Sequence, residues 1–475
     1  MNNVTKHLIA GLALLFASAC SSTAQTLEAV NFELENDSMV AAGQGEVFVP
    51  ERRSDPESRA IPIRFLRFES RAEAPAAPIV YLAGGPGGSG TRAARGERWA
   101  MFDRLRDVAD VIILDQRGTG LSDEVPRCNS SVAFPADSAT TRERYVRLHR
   151  VAAEECVNYW EREGVDLRGY TTWESAADIE AVREALGVER VNLLGISYGT
   201  HLALATLKRY PERVDRLVLA STEGLDQTVK RPALTDAYFE RLQAAIDADS
   251  AAAARYPDVR DLISRVLDRV ENDPPRVTVQ QRDGTTFERT LGPFEMQLVS
   301  GYMLADPDRA ASLLEAYSDA SEGQFGFFGY FADSTISFNG MALAMDLASG
   351  ISPERLAAVE AEANVALLGD ALNFPMPHLR EFIPNLDLGE DFRAPFISDR
   401  PALFLSGTLD GRTYPEAHAE IAAGFSNGGI VTIENAGHNL FFNHPQVVEL
   451  IADFFDGAPA ESQTLVAPAP DFVDD

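Results

Sequence analysis

The sequence predicts an α/β protein, a mostly parallel sheet flanked by helices and interrupted by one large, mainly helical insertion. Three observations carry this. Short apolar runs rich in Val, Ile, Leu and Phe recur along the chain, segments with helical spacing lie between them, and the alternation stops after Ser221 and resumes only at Ala402. Strands alternating with helices are the pattern of a parallel sheet buried on both faces.

The strand-like runs are Ile61–Phe68, Ile79–Ala83, Val111–Asp115, Val191–Gly195, Arg216–Ala220, Ala402–Ser406 and Ile430–Glu434. The clearest helix is Glu174–Leu186, where Ala176, Ile179, Val182 and Leu186 share a face and Gly187 provides a stop. Within 222–400 the spacing predicts helices near Leu234–Ala248, Val259–Val270, Asp308–Glu322 and Pro353–Leu368, with a hairpin at Val277–Leu291 around Asp283-Gly284. This stretch reads as a cap over the carboxyl ends of the strands, where α/β sheets bind ligands. The core is then 51–221 and 401–457, with a tether at 25–50 and a flexible Ala/Pro-rich tail at 458–475.

A chain of 475 residues with 45% apolar and 24% charged residues buries a substantial core. Its formal charge of −30, with no Lys/Arg-rich stripe to offset it, argues against nucleic acid as a partner. Residues 1–24 differ in kind: Lys6 precedes an apolar run, Leu8 to Ala19, that is short for a bilayer span and reads as a signal peptide. The run ends Phe16-Ala17-Ser18-Ala19-Cys20, similar to a bacterial lipobox, which makes Cys20 a candidate lipidated N-terminus and membrane tether. Cleavage after Ala24 is the alternative. The expected location is therefore periplasmic or membrane-anchored in a bacterium. Cys128 and Cys156 remain, and in an oxidising compartment they are candidates for a disulfide.

Gly195-Ile196-Ser197-Tyr198-Gly199 matches G-x-S-x-G directly after a strand and directly before the helical run Thr200–Tyr210. In that setting it resembles the nucleophile elbow of α/β-hydrolases, in which a sharp turn projects the serine into a cleft. Ser197 is the candidate nucleophile, and the N–H of Tyr198 a candidate oxyanion donor. The second donor is expected in the glycine-rich stretch Gly84-Gly85-Pro86-Gly87-Gly88-Ser89-Gly90 that follows Ile79–Leu82. A phosphate-binding loop is the rival for such a turn, but no Gly-Lys-Ser/Thr ending follows.

Of seven histidines, His7 lies in the leader, His149, His201 and His418 in helical patterns, and His378 in the cap. His444 sits beside Pro445 at a helix start. His438 follows the strand Ile430–Glu434, the place from which this fold delivers its base. Asp410 follows Ala402–Ser406 and is the candidate acid, with Glu434 as rival. The order Ser197, Asp410, His438 is that of α/β-hydrolases. Serine chemistry of this kind requires no metal or organic cofactor.

The glycine-rich stretch, Asp115-Gln116-Arg117-Gly118-Thr119-Gly120-Leu121-Ser122, the elbow, and Gly407-Thr408-Leu409-Asp410 with Gly437-His438 together resemble the proline iminopeptidase and tripeptidyl aminopeptidase family. The resemblance implies Ser197, Asp410 and His438 as triad, Gly85 and Tyr198 as oxyanion donors, and Asp115 and Arg117 as braces. Ala83 stands where many proline iminopeptidases have histidine, so the likeness is closer to the tripeptidyl aminopeptidase branch. Such enzymes hold the free α-amino group of a peptide with cap carboxylates. Glu223, Asp306, Asp308 and Asp333 are candidates for that role. The implied activity is release of residues or short peptides from free N-termini; an esterase or other small-molecule acyl hydrolase on the same triad is the alternative. The sequence leaves oligomeric state open.

Overall fold

The computed structural model describes residues 26–280, 284–330 and 335–473. The leader with Cys20 and the cap candidate Asp333 lie outside them, as does Asp283 of the hairpin.

Fourteen strands occur among the described residues: β1 Glu28–Glu33, β2 Met39–Pro50, β3 Ala60–Phe68, β4 Ile79–Leu82, β5 Val111–Leu114, β6 Cys128–Ala133, β7 Val191–Ile196, β8 Val214–Ala220, β9 Arg276–Gln280, β10 Thr286–Thr290, β11 Thr335–Phe338, β12 Ala402–Gly407, β13 Gly428–Glu434 and β14 Gln463–Val466. Ten form one sheet in the order β1-β2-β3-β5-β4-β7-β8-β12-β13-β14. The first three strands and the β3–β5 pair run antiparallel; from β5 to β14 every pairing is parallel.

The parallel strands β4, β5, β7 and β12 are buried at every position. Alternate residues serve two cores. Val80 and Leu82 pack with the helices Arg142–Arg162, Thr172–Leu186 and Tyr198–Arg209, while Ile79 and Tyr81 pack with Trp99–Leu105 and Gln446–Phe455. This period of two, with both faces apolar, is why these strands read as unbroken hydrophobic runs. The helix Thr172–Leu186 ends where expected, on Gly187 in the left-handed region at φ 69°.

The cap has a third core, which joins the helices Pro232–Asp247, Val259–Asn272, Pro293–Met303 and Pro307–Ser321 through side chains such as Phe239, Ile263, Met296 and Tyr317. The hairpin is β9 against β10.

Two expectations are corrected. The segment 25–50 is no tether: it forms β1 and β2, and β2 pairs with β3 along Gly43–Pro50. These strands keep one wet face, so Glu, Asn, Gln and Gly interrupt their apolar pattern and hide it. Up to Val473 the tail is likewise part of the fold, because β14 extends the sheet beside β13 and Phe472 is buried in the cap core. An excursion between β5 and β7 was also unanticipated. There β6 pairs with β11 of the cap, and the Cys128–Cys156 disulfide ties β6 to the helix Arg142–Arg162.

Candidate active site

Ser197 lies between β7 and the helix Tyr198–Arg209, with φ 55° and ψ −129°. An L-residue is strained there, and such strain is held only where the surroundings over-determine it. The surroundings here are tight. A side chain on Gly195 would strike the Gly199 carbonyl oxygen at 2.6 Å, and one on Gly199 would meet the Leu82 carbonyl oxygen at 2.0 Å. The Ser197 N–H is fixed on the Ala220 carbonyl at 3.0 Å. Tyr198, as first residue of the helix, has an N–H without an intrahelical partner. Its ring is fully buried, with the hydroxyl 2.9 Å from Thr172 Oγ1 and donating to the Met345 sulfur at 2.7 Å.

The glycine-rich loop runs alongside the elbow, since a Cβ on Gly84 would stand 3.0 Å from the Cβ of Ser197. Gly85 has φ 125°, which only glycine adopts readily. The Asp115 block holds this loop. The Asp115 carboxylate accepts from Ser89 Oγ, from Thr91 N and from Leu121 N at 2.9, 3.1 and 2.9 Å, and Gln116 donates to the Ala83 carbonyl at 3.0 Å. Arg117 is buried and makes a two-pronged pair with Asp178 at 2.7 Å on each side. Both residues are braces.

Asp410 is fully buried after β12. Its Oδ2 lies 2.9 Å from His438 Nδ1 and accepts from Thr413 Oγ1 at 2.7 Å, while Oδ1 accepts from the N–H groups of Arg412 and Thr413 at 2.8 and 2.9 Å. Burial alone pushes this carboxyl upward, but the facing His438, its hydrogen bond, His418 and the Thr413 N–H outweigh burial and hold it well below the usual carboxylate range. Glu434, the rival acid, is exposed. The close approach of the two loops requires Gly407, where a Cβ would meet the Gly437 carbonyl oxygen at 2.4 Å.

The cap grips the His438 loop. The His438 N–H donates to the Ala305 carbonyl at 2.8 Å, and Asp306 accepts from Asn439 N and Nδ2 at 3.0 and 2.9 Å. From below, Ser221 Oγ donates to the His438 carbonyl at 2.8 Å. Ser197, Ser221, Asp410 and His438 therefore stand at the carboxyl ends of the neighbouring strands β7, β8, β12 and β13.

Among the amine-binding candidates, Asp306 is engaged by Asn439 and Asp308 is exposed. Glu223 is buried beside the elbow: its N–H donates to Thr200 Oγ1 at 2.7 Å, and its carboxylate pairs with Lys230. The residue missed in the sequence is Asp346. It lies half-buried one position after Met345 in the helix Gly340–Ser349, and among the described residues its carboxylate has no hydrogen bond or ion pair. Burial, reinforced by Glu223, pushes its carboxyl up to about 8, against the weaker opposing pull of Lys230 and Arg412. A signal was available: Asp346 is the one charged residue in an otherwise apolar helix, Gly-Met-Ala-Leu-Ala-Met-Asp-Leu-Ala-Ser.

Among the described residues no group of three or more His, Cys, Asp or Glu could hold a metal ion.

A strained serine at a strand-to-helix turn, with an Asp–His pair on later strands of a parallel sheet, is the layout of one large class, and the chain belongs to it: the family model for the alpha/beta hydrolase fold matches residues 77–445. Within that class it is similar to the tripeptidyl aminopeptidase of Streptomyces lividans, 31% identical over 196 residues, covering 39% of this chain and 34% of the relative. It is also similar to the serine protease Hip1 of Mycobacterium bovis, 28% identical over 37% of this chain and 35% of that one. The proline iminopeptidase of Neisseria gonorrhoeae is 32% identical over 30% of this chain and 31% of its own length. The matched region thus spans about a third of these curated relatives. Among solved structures, the proline iminopeptidase-related protein of Thermus thermophilus aligns with a TM-score of 0.38 at 19% identity, covering 87% of this chain and 96% of that one.

Proposed function

We propose that the protein is an exported serine aminopeptidase. Ser197 attacks the carbonyl of the first peptide bond while His438, oriented by Asp410, takes its proton. The Tyr198 and Gly85 N–H groups hold the oxyanion, and His438 then passes the proton to the departing amine. Water, activated by the same histidine, hydrolyses the acyl-enzyme. Export is supported by the leader pattern and by the Cys128–Cys156 disulfide, a bond that persists in oxidising compartments. Cys20 is the proposed lipid attachment point.

The observation that carries the peptidase reading is Asp346, a carboxylate without a partner beside the Glu223–Lys230 pair and close enough to Tyr198 to act on its hydroxyl. An α-ammonium group would supply the missing charge. The test is a substrate panel of aminoacyl arylamides with free and acetylated amino groups, together with short acyl esters. We expect kcat/KM for the free amine to exceed that for the acetylated form by about ten-fold or more. Ser197→Ala should lose on the order of 10⁶ in kcat. Equal rates on free and acetylated substrates, or activity confined to esters, would move the assignment to a general acyl hydrolase.

A further inference from the structure

We propose that Arg412 and the aromatic cavity it borders accept the C-terminal carboxylate of a short peptide, so that the preferred substrates are small free peptides rather than the N-termini of proteins. This rests on the aminopeptidase reading and extends it to the departing end of the substrate.

Arg412 stands two residues after Asp410, and its own N–H is bonded to that carboxylate at 2.8 Å. Its backbone is therefore as fixed as the Asp–His pair. The side chain leaves the acid and runs toward the cap, where Nη1 makes a long contact of 3.4 Å to the Gly301 carbonyl. Among the described residues this half-buried guanidinium has no ion-pair partner.

The cavity beside it has a volume of about 430 Å³ and is walled by Phe134, Tyr145, Leu298, Phe328 and Phe374. It contains a second arginine, Arg289, but that one is buried against Glu295 and the two charges cancel. Arg412 is what remains, so the cavity carries a net positive charge in a chain whose formal charge is −30. The surrounding field repels anions, and a carboxylate gains entry only where a cation offsets it locally. Planar guanidinium groups match carboxylates in a two-pronged geometry, and aromatic walls that exclude water strengthen the pair.

Arg412 is near enough to Asp346 and Lys230 for its charge to act on both, yet it forms no ion pair with Asp346. The proposal puts the ammonium at Asp346 and the carboxylate at Arg412, the two ends of a short extended peptide in which each residue spans roughly 3.5 Å.

The experiment compares tri-alanine with tri-alanine amide in the wild type, Arg412→Gln and Arg412→Lys, using the ratio of kcat/KM for acid over amide within each protein. A loss common to both substrates, including a folding defect, cancels in that ratio. We expect a wild-type ratio of about ten or more, expressed mainly in KM, falling to about one in Arg412→Gln and partly restored in Arg412→Lys. A wild-type ratio near one, or a ratio unchanged in Arg412→Gln, overturns the inference while leaving the aminopeptidase reading intact. Failure of both peptides, with esters still hydrolysed, overturns that reading and the inference with it.

Discussion

In the loop after β12 both oxygens of Asp410 are satisfied by neighbours, whereas in the cap the carboxylate of Asp346 has no partner among the described residues. Burial pushes both acids in the same direction. At Asp410 the His438 ring, a hydroxyl and two N–H groups overcome it; at Asp346 nothing does, and Glu223 adds to it. A buried charge surrounded by fixed donors is locked in one state, and a half-buried one left without them is poised to respond to an incoming charge. On the proposed mechanism the core side of the cleft carries a constant reaction, and the cap side chooses what reacts.

The largest effect that would test this division is at Asp410. Asp410→Asn removes the charge that orients His438 and stabilises its protonated form, so kcat should fall by about 10³- to 10⁴-fold with little change in KM, measured on a free-amine arylamide. A loss smaller than ten-fold would mean that the locked acid is structural and that the division is misplaced.

Asp306 sharpens the comparison because it is a cap residue that acts on the core. Asp306→Ala frees the backbone and side chain of Asn439, next to His438, and loosens the loop that carries the proposed base. Misplacement of a reacting group by a fraction of an ångström costs rate, and the expected fall in kcat is about ten- to a hundred-fold. Asp306→Asn retains one acceptor oxygen and should recover part of it. A change confined to KM would place Asp306 with the residues that select substrate.

The same division explains what was legible in the sequence. The elbow is a local motif bounded by a strand and a helix, and Asp410 and His438 each follow a buried apolar run, so position along the chain suffices to find them. The parallel strands announce themselves because both of their faces are apolar. By contrast β1, β2 and β14 each keep polar or exposed positions along the strand, and their short alternating patterns pass for linker. A cap carboxylate is harder still, since its role depends on partners brought from distant segments. Asp306 and Asp308 are nearly adjacent, yet one is tied to a residue after β13 and the other faces solvent. Glu223 could be suspected from its place after β8, but not its pairing with Lys230.

Asp346→Asn is the smallest expected effect and the one most specific to the cap. KM for free-amine substrates should rise about ten-fold while kcat changes little, and acetylated substrates should be unaffected. The substitution also has a signature in stability that needs no substrate. The folded-state value of about 8 lies above the unfolded value of 3.8, so between them the folded chain holds a proton that the unfolded chain has released. The stability contributed by this group is full below the unfolded value and is lost as pH rises through the folded one. Asparagine does not ionise and escapes that loss. Relative to wild type, Asp346→Asn should therefore gain stability steadily as pH climbs from about 4 to about 8, read as a growing difference in urea midpoint. Parallel pH profiles for the two proteins would show that Asp346 is ionised throughout, and with it would go the argument that this carboxylate waits for an ammonium group.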